Sequence, residues 1–323
     1  MQQEREVELQ LNEIFEEVYS NRFLAPPCES QRGIVEDFNQ RCDKYIKMLE
    51  EFNGVNETKL RIDLIIKRVK TIQDGINVSL QGFLSGDIKK AYDNFEDTFS
   101  NSLINKHILR VTISLKDICN YQQPLYRVRK SEIPLSSRND IFHIPFGSRH
   151  LVGAQRYSVA GLPCLYLGTS LYVCWQEMNK PDFDRLYISS FISQDEKARV
   201  LIFTPHLIIS TKVRVKDDSE LLAINLMKAS YLVLWPLILS CSYIKKHEHS
   251  NFTQEYIIPN LLMQWISRRG QSPVSGIAYS STRMKRNIDS RLSINVAFPP
   301  KATYKQTIQN DYCPRLSSLF EFT

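Results

Sequence analysis

The chain has 323 residues, enough for two cores, and with 43% hydrophobic and 24% charged residues its composition is that of a folded protein, which excludes disorder as its dominant state. A formal charge of +6 and a pI near 8.8 make it mildly basic. That is short of the dense stripe of a nucleic-acid binder, since the run KKHEH (245–249) is broken by an acid, and anionic small molecules such as nucleotides suit the balance as well.

In chain order, the start MQQEREVELQL lacks a basic stretch followed by an apolar one, so no signal peptide is expected. Residues 3–19 place Val7, Leu9, Leu11, Ile14, Phe15 and Val18 close to a 3.6-residue period, which predicts a helix ended by the two prolines of FLAPPCES (23–30). A second helix is expected over 31–52, stopped by Asn53-Gly54. A third is expected over 58–84, and after Gly86-Asp87 a fourth over about 88–106. Residues 1–115 thus read as an antiparallel helical bundle.

From about 120 the pattern shortens to strand-like runs: PLYRVR (124–129), IFHIPF (141–146), LPCLYLG (162–168), RLYISSF (185–191), ARVLIF (198–203), GIAYSS (276–281) and SINVAF (293–298). Helices are expected between them at 170–179, 218–229 and 253–269. The most apolar stretch, ASYLVLWPLILSCSY (229–243), is shorter than the roughly 20 residues of a spanning helix and holds Pro236, so it predicts a buried core element and no membrane association. The fold class expected is α+β, with a helical domain over 1–115 and a mixed domain over 116–323. Seven cysteines, an odd number with no CxxC pair, read as reduced and buried thiols in a cytoplasmic protein without a metal-ligand spacing, and of the two readings of His247 and His249 in KKHEH, a metal pair or a solvated loop, the loop is favoured.

One segment is not explained by packing. RYSVAGLPCLYLGTSLYVCWQE (156–177) begins with Arg156, ends with Glu177 and carries Tyr166 between them. A strand over 162–168, the N-cap pair Thr169-Ser170 and a two-turn helix aim the tyrosine and the glutamate toward one region. A guanidinium, an aromatic ring and a carboxylate suit a dinucleotide such as NAD. The arginine takes the diphosphate, the ring stacks on the pyridinium, and the carboxylate faces a ribose that becomes cationic when the nicotinamide bond breaks.

The segment resembles the signature of the RES-domain family, NAD-degrading toxins with a fold related to ADP-ribosyltransferases and named for an Arg-Glu-Ser set. The family pattern is an arginine, a tyrosine ten residues later and a glutamate eleven after that, as in Arg156, Tyr166 and Glu177. PLYRVR, FHIPFGSRHLVGAQRYS and TQEYIIPNLLMQWI with SGIAYSST also resemble family blocks, over roughly 120–300. Short members carry Trp after the first arginine, where this chain has Tyr157 as in the longer branch. The resemblance implies Ser281, or its neighbour Ser280, as the late serine. It also implies cleavage of NAD with inorganic phosphate as acceptor, giving nicotinamide and ADP-ribose 1-phosphate. Arg127, then Arg149, with Arg129 as a third choice, are the candidates for gripping phosphate. No permanent cofactor or metal is implied; NAD is consumed as substrate.

Two other classes stand beside this one: a protein ADP-ribosyltransferase, which differs only in acceptor, and a module that senses NAD without turnover. RNDIFH (138–143), whose Arg138 and His143 fit an R-x4-H pattern, offers ribonuclease chemistry as a competitor, but Pro145 and the strand-like context disfavour the helix that pattern needs. For residues 1–115 the expectation is regulation, through an antitoxin or regulatory protein or through a homo-oligomer.

Overall fold

The computed structural model describes residues 2–31, 33–55, 60–209, 217–247, 250–268, 274–284 and 291–323. Arg32, residues 58–59 of the third expected helix, Arg269 and His249 lie outside them. The chain forms two compact units: Met1–Val111 with Leu207–Leu261, and Thr112–His206 with Leu262–Thr323. Residues 207–261 therefore cluster with the N-terminal helices, and a single division at 115/116 describes the full membership of neither unit.

The first unit is helical, with Gln2–Ser20, Ile34–Val55, Ile62–Leu84, Ile88–Ser100, Ser102–Arg110, Asp218–Val233 and Trp235–Cys241. Positions three and four apart face inward, as in Leu11, Ile14, Phe15 and Val18, or Ile65, Val69, Ile72 and Ile76. The apolar stretch 229–243 is core, as expected: Trp235 is fully buried and stacks on Tyr45 at 4.2 Å between ring centroids, and Tyr45 Oη donates to the Leu232 carbonyl at 2.9 Å. Two boundaries differ from expectation. The second helix runs through Asn53-Gly54 to Val55, because a helical glycine costs only about 1 kcal/mol and a helix already anchored over five turns carries it. The fourth is two helices meeting at Asn101, whose side chain accepts from Leu103 N at 2.9 Å and starts a new helix. Between the third and fourth, Gly86 takes φ +89°, a conformation that favours glycine and reverses the chain within three residues.

Among its described residues the second unit is built on one sheet of eight strands: β1 Thr112–Ser114, β2 Leu125–Lys130, β3 Leu165–Gly168, β4 Leu186–Ile192, β5 Arg199–Ile202, β6 Val274–Ser280, β7 Ile294–Phe298 and β8 Glu321–Phe322. Their order is β1-β5-β6-β7-β3-β2-β4-β8. Only β5 and β6 run parallel; the other neighbours are antiparallel. The α+β class is thus as the patterning implies.

The strand expected at 141–146 is absent. Arg138–Ile141 and Phe146–Leu151 are short 3-10 helices, because Ser137 and Asp140 form a reciprocal cap and Pro145 precedes the second turn. The end strands β1 and β8 and the helices Tyr304–Gln309 and Pro314–Leu319 lie in segments too short for periodicity to register.

Among the described residues no single helix is long and apolar enough to cross a membrane. Six cysteines are buried and Cys174 is half-buried, all as free thiols.

Candidate active site

The site is assembled from the second unit alone. β3 ends at Gly168, and the helix Leu171–Glu177 starts at once, capped by Ser170. The Ser170 hydroxyl accepts from Val173 N at 3.1 Å and donates to the Leu292 carbonyl at 2.6 Å, so one group both starts the helix and ties it to the chain leading into β7. The helix lies directly on the strand: a Cβ at Gly168 would stand 2.6 Å from Val173 Cγ1 and 2.7 Å from Cys174 Sγ. Gly168→Ala is therefore expected to push the helix outward and to destabilise the protein by about 1–3 kcal/mol. A thermal midpoint equal to wild type would show that the helix has room to spare.

Glu177 is the last residue of this helix and is half-buried. Its Oε1 accepts from Ser281 Oγ at 2.6 Å and from Asn295 Nδ2 at 2.6 Å, and its Oε2 lies 3.4 Å from Arg283 Nε. Arg283 also donates to Asn179 Oδ1. Asn179 and Lys180 follow the helix with φ +62° and +55°, a strained turn that asparagine tolerates better than most residues. Pro181 closes it, its carbonyl accepting from Trp175 Nε1 at 2.9 Å.

Arg156 is buried, and its Nη2 donates to Thr282 Oγ1 at 3.2 Å. Three consecutive residues, Ser281 to Arg283, thus reach both Arg156 and Glu177. The Tyr166 hydroxyl donates to Ser158 Oγ at 3.1 Å and accepts from Tyr157 N at 3.2 Å, so it holds the backbone next to Arg156. The half-buried ring of Tyr166 remains on the strand face opposite the buried Leu165 and Leu167.

Of the arginines proposed for phosphate, Arg127 joins this neighbourhood. β2 and β3 register at one pair, Tyr126 with Gly168, and beside it the Tyr166 carbonyl accepts from Arg127 Nη1 at 3.3 Å. Arg127 is half-buried and makes no ion pair among the described residues. Burial pushes its pKa down to about 10, with Arg129 adding to the fall and Cys174 and Tyr166 opposing it, so it stays a cation at neutral pH. Arg129 is exposed and donates to the Asp140 carbonyl. Arg149 is exposed, with its guanidinium 5.1 Å from the Phe146 ring centroid, and no contact brings it to the trio. Ser280 pairs with Ile294 across β6 and β7, while Ser281 is the serine that meets Glu177.

Sequence reasoning passed over Asn295, Thr282 and Arg283. Asn295 carried a readable signal, being the one polar side chain between Ile294 and Phe298 in an otherwise apolar strand. Thr282 and Arg283 follow the strand end and carried none.

His143 is occupied elsewhere. Its Nδ1 donates to the Ile144 carbonyl at 2.8 Å and its Nε2 accepts from Cys313 N at 2.8 Å, so no ring nitrogen is left for ribose chemistry with Arg138. Burial pushes its pKa down to about 4. A histidine depressed on folding stabilises above its unfolded pKa and loses that contribution as pH falls toward the folded value. Between pH 7 and pH 5 the loss is about 2 kcal/mol. The urea midpoint of wild type is expected to fall over this interval, and His143→Leu, though less stable at pH 7, should show a flatter dependence; an unchanged slope would place the proton uptake elsewhere.

Compared with known proteins, the chain is 28% identical over 290 residues to a protein named "Putative toxin YopC" from Bacillus subtilis (strain 168). The match covers 86% of this chain and 63% of that protein, so the chain spans somewhat under two thirds of its relative. No protein-family model matches the chain, and no solved structure matches it.

Proposed function

We propose that the chain is a toxin that breaks the nicotinamide–ribose bond of NAD, with inorganic phosphate as acceptor. The observation that carries this reading is the convergence on residues 281–283 of a carboxylate, Glu177, and a buried guanidinium, Arg156. The similarity to a relative named as a toxin supports the coarser part of it.

In this reading the C1′–N bond breaks with its electron pair passing to the nicotinamide nitrogen, which leaves neutral. The ribose turns cationic, and a phosphate oxygen supplies the pair for the new C1′–O bond. Glu177, oriented by its hydrogen bonds, faces the sugar and stabilises charge present only as the bond breaks, which raises turnover rather than affinity. Arg156 binds the diphosphate and Tyr166 holds the loop that carries it. Arg127, a half-buried cation with a carbonyl as its hydrogen-bond partner, is the arginine we assign to phosphate. The helical unit would regulate, through an inhibitor protein or self-association, in a cytoplasmic setting.

The test is the mass of the products formed from NAD with and without phosphate. ADP-ribose 1-phosphate supports the proposal, free ADP-ribose would make water the acceptor, label retained on protein would mean ADP-ribosyl transfer, and intact NAD would sink the reading.

A further inference from the structure

Glu177 is held asymmetrically. Oε1 takes two neutral donors from the sheet unit, Ser281 Oγ and Asn295 Nδ2, each at 2.6 Å, and both residues are buried. Oε2 has Arg283 Nε at 3.4 Å, on a side chain that is 39% exposed. Asn295 sits on β7 with Gly168 opposite on β3 and Tyr279 opposite on β6. Gly168 is itself covered closely by Val173 and Cys174 of the helix that follows β3, and the last residue of that helix, Glu177, takes the amide's hydrogen bond. Its strand neighbours Ile294, Val296, Ala297 and Phe298 are all buried and apolar. An amide at 5% exposure in such a strand needs a partner, and an apolar residue would serve packing alone at least as well.

We infer that Asn295 is a positioning residue that, together with Ser281, pins the inner oxygen of Glu177 and turns the outer oxygen, Oε2, toward the substrate sugar. This rests on the reading of Glu177 as the carboxylate facing the ribose. Both donors are neutral, so they orient the carboxylate without cancelling its charge. The half-exposed Arg283 is the group on Oε2 that an entering sugar displaces. A carboxylate released from Oε1 would rotate about its last torsion and lose alignment, and misplacement of this kind costs up to about a hundredfold in rate.

The test uses the full chain. Asn295→Leu removes the donor and Asn295→Asp keeps the shape while setting an acceptor against an acceptor. With NAD and phosphate, kcat is expected to fall about 10- to 100-fold in the first and further in the second, with KM within about threefold of wild type. A kcat within threefold of wild type in Asn295→Leu overturns the inference, as does a fall carried by KM. A second measurement needs no substrate: in 15N-labelled protein the Asn295 side-chain amide protons should exchange slowly, and should lose that protection in Glu177→Ala. If wild-type protein leaves NAD intact but protection is lost in Glu177→Ala, the NAD reading fails and the clamp stands. Protection unaltered in Glu177→Ala overturns the clamp itself.

Discussion

Glu177→Gln is expected to lower NAD consumption about a thousandfold while leaving the fold in place. A unit charge about 4 Å from a developing cation contributes roughly 4 kcal/mol at an effective dielectric near 20, and that is close to three powers of ten in rate. The amide keeps the shape and one oxygen that can still accept from Ser281 and Asn295, so the hydrogen-bonded frame survives and the charge alone is removed. The ion pair with Arg283 is also lost, but both partners are more than a third exposed, and exposed pairs of this kind contribute at most about 1 kcal/mol. The helix is secured independently, at its start by Ser170 and past its end by the Trp175–Pro181 bond. Turnover of NAD followed by product mass, with a thermal scan as control, decides the matter. Activity within a few-fold of wild type, at an unchanged melting temperature, would falsify the assignment of Glu177.

Asp37→Ala is expected to produce the largest loss of stability, about 3–5 kcal/mol, because it leaves a buried guanidinium without its counter-charge. Asp37 and Arg41 are 1% and 3% exposed and meet at 2.6 Å on successive turns of the helix Ile34–Val55. Tyr243 Oη donates to Asp37 at 2.8 Å and Gln31 N donates at 3.2 Å. Arg41 in turn donates to the carbonyls of Phe23 and Glu29, and its guanidinium lies 4.4 Å from the Phe23 ring centroid. One pair therefore fastens the proline-containing connection 21–31 and the chain after Trp235–Cys241 to a single helix.

For a unit of this size the loss corresponds to a fall in melting temperature of about 2–4 °C per kcal/mol. Replacing both partners, as in Asp37→Leu with Arg41→Met, should recover much of it, since the penalty comes from the charge left alone.

The same pair predicts an acid limb. Burial alone would raise the Asp37 pKa, but the hydrogen bonds from Arg41, Tyr243 and the Gln31 backbone outweigh it and hold the carboxyl below its usual range. A depressed carboxylate stabilises above its unfolded pKa of about 3.9 and gives that contribution up as pH falls through the lower folded value. The difference in stability between wild type and Asp37→Ala should accordingly shrink below about pH 4 and be constant above about pH 5. A difference that persists at the lowest pH would mean the carboxylate's charge is not what holds Arg41.

What sequence alone determined is whatever lies within one contiguous stretch. The trio Arg156, Tyr166 and Glu177 falls within residues 156–177, where strand alternation, the Ser170 cap and the short helix are local properties of the chain. The buried faces of the long helices were legible for the same reason, since a 3.6-residue period needs no knowledge of partners. Tertiary structure decided the rest. Ser281 and Asn295 stand 104 and 118 residues from Glu177, and they reach it only because β7 is sandwiched between β6 and β3. The preferences for Ser281 over Ser280 and for Arg127 over Arg149 came from the family resemblance, and the tertiary structure adds the contacts of Ser281 with Glu177 and of Arg127 with the Tyr166 carbonyl. Likewise, the apolar run that ends Asp218–Val233 marks it as buried but not against which helices, so its membership of the first unit emerged only from packing. Periodicity records burial, whereas pairing between distant segments depends on loop closure and on competition among many similar apolar faces, and a linear pattern encodes neither.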